Sequence, residues 1–233
     1  VHIPCAPNDG GLSIGMAWTF APPSSKGVPQ ALTFIGPTLY DAPLVPALAE
    51  LAGARVNTTA KDLAELLSRG HVIAVVRGGS EFGPRALGHR SLLAIPHRAD
   101  VKDRMNRLKF REWWRPVAPM VAAEDVSRIF LPLDLDEDGG SSGSGGSGGA
   151  AVWSPYMSVA ARFKPHFAKR FPAITHFDGT ARLQTVTERQ DPWLHRLLME
   201  LKRLVGDAVS RNTSFNTRGK PICNRATEAM QML

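Results

Sequence analysis

Cysteine is nearly absent: the 233 residues include only Cys5 and Cys223. Two thiols cannot build a disulfide framework, and neither a Cys-x-x-Cys pair nor closely spaced histidines point to a structural metal. A reducing, cytoplasmic setting is therefore the expectation. Long apolar runs are missing too. None approaches the roughly 18 residues that a membrane-spanning helix needs, so no membrane partner is expected. The first residue, Val1, is not a methionine and no signal peptide follows it, while a helical stripe of Ala226, Ala229, Met230 and Leu233 stops at the last residue without a capping glycine. The chain reads as a fragment of a longer protein.

Positive charge is present, and it is concentrated. Between Arg77 and Arg115 there are ten Lys or Arg against four acids, so +6 of the chain's net +7 falls within 39 residues. Charge gathered in this way selects for an anionic partner, either a polyanion or a small phosphorylated or carboxylated ligand. Arginine dominates, and its rigid fork grips phosphate or carboxylate oxygens bidentately, where lysine acts as a flexible point charge. The segment GGSEFGPRALGHRS, residues 78–91, places glycines around Arg85 and Arg90, which lets backbone approach a ligand closely. Arg85, Arg90, Lys109 and Arg115 are the cations expected to converge. The cations between Arg98 and Arg107 instead suit the outer face of a helix whose inner stripe is Val101, Met105 and Leu108.

Punctuation and periodicity give the coarse organisation. Asp9-Gly10-Gly11 is a turn before a short helix from Leu12 to about Trp18, and residues 21–30 read as a connector between domains. Thr59 caps a helix carrying Leu63, Leu66 and Leu67 inward and ending at Gly70, which feeds a buried strand over residues 72–76. Asp191-Pro192 opens a helix whose inward face is Trp193, Leu194, Leu197, Leu198, Leu201, Leu204 and Val205, closed by Gly206. Strands and helices alternate, as in an α/β or α+β domain. The tract GGSSGSGGSGG, residues 139–149, has linker composition and follows the acidic cluster Asp134, Asp136, Glu137 and Asp138.

Five separated segments, in order, carry a family resemblance. EFGPRALGHRSLLA, MNRLKFREWWRPVAP, SPYM, THFDGTARLQTV and NTSFNTRGKPI resemble the C-terminal, YrdC-like domain of the O-carbamoyltransferases, the family of the nodulation-factor, cephalosporin and aminoglycoside enzymes. The opening segment, residues 6–18, resembles the end of the family's N-terminal, actin/Hsp70-like transferase domain. The resemblance implies residues 1–30 as a remnant of that domain with its connector. Residues 31–233 would form one YrdC-like domain, an open twisted mixed sheet flanked by helices, with the Gly/Ser tract inserted in a surface loop.

The activity implied is a two-step one. The C-terminal domain condenses carbamoyl phosphate with ATP to carbamoyl-adenylate, and the N-terminal domain passes the carbamoyl group to a hydroxyl of a small-molecule acceptor. Two mutually repelling anions have to be brought together, which requires cations. By match to the family's basic motifs, Arg85, Lys109 and Arg115 fall to carbamoyl phosphate and the nucleotide phosphates. Arg90 joins them, Arg182 and Arg218 are phosphate ligands of second rank, and Ser214 and Asn216 are polar contacts. Magnesium is expected to accompany ATP. Asp9 resembles a ligand of the iron-type site in the N-terminal domain, whose other ligands lie upstream, and a lone carboxylate does not hold a metal. The alternative is an RNA-binding role, because the YrdC-like fold also serves transfer-RNA modification.

Several residues admit two readings. Trp113 and Trp114 suit core packing or helix anchoring, or stacking on adenine. His176 and Asp178 suit an acid/base pair or an Asp-Gly turn with a hydrogen-bonding histidine, and His89 and His97 suit structural roles. Ser210 and Arg211 stand where relatives usually carry apolar residues of a buried strand, and Lys220 where they usually carry Glu. A buried Arg211 without a partner would be costly.

Overall fold

The structure, a computed structural model, describes residues 4–22, 33–115, 117–132 and 153–232. The Gly/Ser tract, the acidic cluster and most of the connector at 21–30 lie outside these residues. Six strands form one mixed sheet: β1 (Ile73–Val76), β2 (Arg90–Ala94), β3 (Ala118–Ala122), β4 (Val159–Arg162), β5 (Thr180–Val186) and β6 (Val209–Ser214). Their order in space is β1-β2-β6-β3-β5-β4. Every pairing is antiparallel except β3 with β5. The expected α/β architecture of a mixed sheet flanked by helices is what the chain adopts. Among the described residues no helix is long and apolar enough to cross a membrane.

Side-chain alternation sorts the strands' residues onto two faces. Leu93, Met120, Ala122 and Val186 meet α3 (Ala60–Ser68) and α7 (Pro192–Val205) through Leu63, Leu67, Leu194, Leu197, Leu198 and Leu201. On the other face Leu92 and Ala94 meet Val101 and Met105 of α4 (Asp100–Leu108). Val121, Leu183 and Val209 meet the aromatic cluster Phe130, Phe163, Phe167 and Phe171 beside α5 (Val126–Ile129) and α6 (Pro165–Arg170).

The helix ends follow from their caps. Thr59 and Asp62 form a capping box at α3, and Asp191 accepts from the Leu194 N–H at the start of α7, which ends at Gly206 in the left-handed region. Each cap satisfies amide donors that the first turn leaves open.

Four expectations need correction. The run at 72–76 yields β1 as the edge strand of the described sheet, where Val75 is buried and Ile73, Ala74 and Val76 are only partly covered. Leu108 is 46 % exposed, since α4 ends there and the chain turns away. Leu204 is likewise partly exposed at the end of α7. Trp113 and Trp114 are more than half exposed and lie in the turn after α4, so neither packs in the core. At the N-terminus, α1 (Leu12–Phe20) extends past Trp18 and buries no side chain; Leu12, Met16 and Phe20 are all exposed.

Candidate active site

The arginine-bearing loop before β2 is built around a carboxylate. Glu81 Oε1 accepts from the amides of Leu87, His89 and Arg90 at 2.7, 2.8 and 3.2 Å, turning residues 87–90 around itself. Gly83 and Gly88 hold φ of +119° and +121°, and a Cβ on them would meet Cys5 O at 2.3 Å and Leu194 Cδ2 at 2.5 Å. Only glycine fits both the conformation and the space. Arg85, between them, projects into solvent.

Arg90 does not join it. The side chain is fully buried, and its guanidinium donates to the carbonyls of Arg77 (2.7 Å), Gly78 (3.0 Å), His89 (3.1 Å) and Pro37 (3.2 Å). It opens β2, whose residues are all buried, so its fork holds backbone together and does not reach the site. His89 is also structural: it stacks on Phe34 at 3.6 Å, and its ring nitrogens meet Gly79 O and Asp191 Oδ2.

A cavity of about 610 Å³ gathers the other predicted cations. Arg85 comes from the loop, Lys109 from the C-cap of α4, Arg115 from the turn after it, Arg182 from β5, and Ser214, Asn216 and Arg218 from the end of β6 and beyond. Seven of the eight expected binding residues thus line one wall system, together with Trp114, weighed above as an adenine contact, and with Arg111, Asn212 and Thr213, which the sequence reading did not select. Six cations face one carboxylate, Glu112, which is already engaged by Arg115 Nε (2.8 Å) and Arg218 (3.2 Å).

Lys109 ties the cavity's two sides together. Its ammonium donates to Asn216 Oδ1 (2.7 Å) and Asn216 O (2.8 Å) and also to Ser214 O, while its own carbonyl accepts from the Arg218 N–H at 2.9 Å. Burial and then the nearby Arg111 push its pKa down to about 7. Arg182 is lowered to about 10, first by burial and then by Arg85 and Arg111. Its Nε has no hydrogen-bond partner among the described residues. Buried cations gathered without enough counter-charge favour an anionic ligand.

The remaining candidates lie elsewhere. Asp178 accepts from Thr180 N (2.9 Å) and Oγ1 (2.7 Å), and His176 Nδ1 meets Thr180 Oγ1 at 3.1 Å, which is the turn reading and not an acid/base pair. Asp9 is exposed in a short turn of helix before α1. Among the described residues no three His, Cys, Asp or Glu side chains come together as a metal site. Arg211 is fully buried on β6, none of its three nitrogens has a hydrogen-bond partner among the described residues, and burial followed by the Arg111 charge lowers it to about 9.

The family model described as "Carbamoyltransferase C-terminus" matches residues 64–233, the span that builds this cavity. The chain belongs to the carbamoyltransferase family. Nodulation protein NolO of Bradyrhizobium diazoefficiens is 38 % identical over 178 residues, covering 76 % of this chain and 30 % of NolO. The 3'-hydroxymethylcephem-O-carbamoyltransferase of Streptomyces clavuligerus is 35 % identical over 234 residues, 98 % of this chain and 39 % of that enzyme. Among solved structures, HypF of T. kodakarensis superposes with a TM-score of 0.48 at 16 % identity, over 76 % of this chain and 20 % of HypF, a likeness too loose to bear on chemistry. The chain spans about a quarter to two-fifths of the length of the curated relatives it matches.

Arg111 and Asn212 escaped the sequence reading for different reasons. Arg111 sits among exposed tryptophans and reads as one more surface charge. Asn212 was overlooked, although a polar residue inside an otherwise buried strand is itself a signal.

Proposed function

We propose that this carbamoyltransferase domain binds carbamoyl phosphate and ATP in the cationic cavity and joins them as carbamoyl-adenylate. In the whole protein the carbamoyl group would then pass to a hydroxyl of a small-molecule acceptor. The observation that carries the reading is the gathering of six cations, Arg85, Lys109, Arg111, Arg115, Arg182 and Arg218, around one cavity of about 610 Å³ whose single lining carboxylate, Glu112, is already engaged. Such a site stabilises a ligand with several phosphate charges, and it does so most strongly where negative charge builds up during transfer.

Arg85, Lys109 and Arg115 would hold the carbamoyl phosphate and the nucleotide phosphates, Arg182 and Arg218 would neutralise the remaining charge, and Ser214 and Asn216 would orient Lys109. Water would cleave carbamoyl phosphate to carbamate and inorganic phosphate, and a carbamate oxygen would then displace pyrophosphate from ATP, so that the sum is carbamoyl phosphate, ATP and one water giving carbamoyl-adenylate, pyrophosphate and inorganic phosphate. The bond broken in ATP is the one between the α- and β-phosphates, and the new bond joins the carbamate oxygen to the α-phosphorus. The cavity offers no carboxylate set for a metal of its own, so magnesium would arrive on the nucleotide. Cations gathered around one cavity of this size suit a small anion.

Exchange of labelled pyrophosphate into ATP is the test. The chain should catalyse it only with carbamoyl phosphate present. Arg85→Ala should lose ~2–4 kcal/mol of transition-state stabilisation, the scale of one well-placed electrostatic contact. Because Arg85 is exposed, the melting temperature should stay unchanged. Exchange without carbamoyl phosphate, or exchange indifferent to Arg85→Ala, would refute the assignment.

A further inference from the structure

Asn212 brings a buried acceptor to a cavity dominated by cations. It lies on the cavity wall at 1 % exposure, and its Oδ1 has no hydrogen-bond donor among the described residues. Its amide orientation is fixed by a relay. Asn212 Nδ2 donates to Ala86 O at 3.0 Å and to Gln184 Oε1 at 2.7 Å, and Gln184 Nε2 donates in turn to Leu87 O at 2.8 Å. Turning Asn212 over would set its oxygen against two others. Turning Gln184 as well would only move the conflict to Leu87 O. The backbone of the Arg85 loop therefore dictates that Asn212 leaves its acceptor, not its donor, unused.

Other side-chain oxygens on the wall have partners. Glu112 is held by Arg115 and Arg218, Asn216 Oδ1 by Lys109 and Ser214, and Thr213 Oγ1 accepts from Arg111 at 3.4 Å. Phosphate oxygens would repel the remaining Asn212 Oδ1, because they too only accept. We infer that Asn212 Oδ1 takes an N–H of the substrate's carbamoyl group and so sets the domain's choice of acyl phosphate. The inference rests on the proposed binding of an acyl phosphate in this cavity. In acetyl phosphate a methyl stands where carbamoyl phosphate has its NH2, so the acceptor would stay buried and unpaired. An unpaired buried group of this kind corresponds to about 10- to 100-fold in affinity.

Calorimetric titration of the chain with freshly dissolved carbamoyl phosphate, acetyl phosphate and inorganic phosphate is the experiment, alongside ATP and GTP. The wild type should bind carbamoyl phosphate at least tenfold more tightly than acetyl phosphate. In Asn212→Ala, checked for folding by circular dichroism, the ratio should fall to near one. Equal wild-type affinities for the two acyl phosphates would overturn the inference while leaving anion binding intact. A wild type that binds none of the phosphates would overturn the proposed function itself. If Asn212→Ala levels ATP against GTP and keeps the acyl-phosphate ratio, the N–H belongs to adenine and the inference falls. Should the variant fail to fold, the wild-type ratio alone still decides.

Discussion

Replacing Arg211 by methionine should make this protein more stable. The guanidinium is completely buried on β6, all three nitrogens lack a hydrogen-bond partner among the described residues, and its other charged neighbours are the like-charged Arg111 and the carboxylate of Asp103. Even lowered to about 9 by burial and Arg111, it stays charged at neutral pH. The fold thus bears the desolvation of an ion without the pairing that would offset it. Exchanging buried ionic groups for apolar side chains of similar volume is neutral or stabilising by ~1–4 kcal/mol. At about 2–4 °C per kcal/mol for a chain of this size, a mid-range gain of ~2 kcal/mol raises the melting temperature by about 4–8 °C. Differential scanning calorimetry at pH 7 reads this directly. Anion affinity should move the other way, because the variant removes a positive charge from behind Arg111. A melting temperature that falls in Arg211→Met would show that the guanidinium has a partner worth more than its desolvation, and the reasoning would fail.

Arg90→Ala should lower stability by at least ~3 kcal/mol, since four carbonyls lose a charged donor; urea denaturation reads the loss, and an intact midpoint would contradict the structural role. Lys109 should make anion binding depend on pH. Its pKa of about 7 in the free protein rises when an anion binds, so affinity is greatest below pH 7 and declines above it, with proton uptake visible by calorimetry in buffers of different ionisation enthalpy. Asp207 is buried, which alone would raise its pKa, but His97, Arg170 and Arg128 outweigh burial and hold it low. Its stabilisation is therefore present above the ordinary carboxyl range near pH 4 and is lost as pH falls below it, and Asp207→Asn should flatten the acid limb of a melting-temperature profile.

The cation cluster was legible in the sequence because glycine, proline and arginine crowd together only where backbone must yield to a ligand. Family-like motifs then placed Arg182 and Arg218 beside it across a long separation. Arg90 was misplaced because its neighbours, His89 and Gly88, suggested the loop, while the apolar run that follows it already marked the start of a strand. The exposure of Leu108 and both tryptophans was illegible for a related reason: helical periodicity says which face points inward but not where the helix runs out of sheet to cover. Arg211 could be located in a buried strand from sequence, but whether a carboxylate awaited it could be answered only by the fold.

The last strand in the chain occupies the middle of the sheet, with β2 on one side and β3 on the other. Until residues 209–214 have left the ribosome, β1 and β2 have no edge to join to β3, β5 and β4. Four of the seven predicted cavity residues would by then have been synthesised, yet they would belong to two unconnected half-sheets. Lys109 would have no carbonyls of Ser214 and Asn216 to grip. A nascent chain therefore carries its arginines without a pocket until this strand is made and the sheet closes.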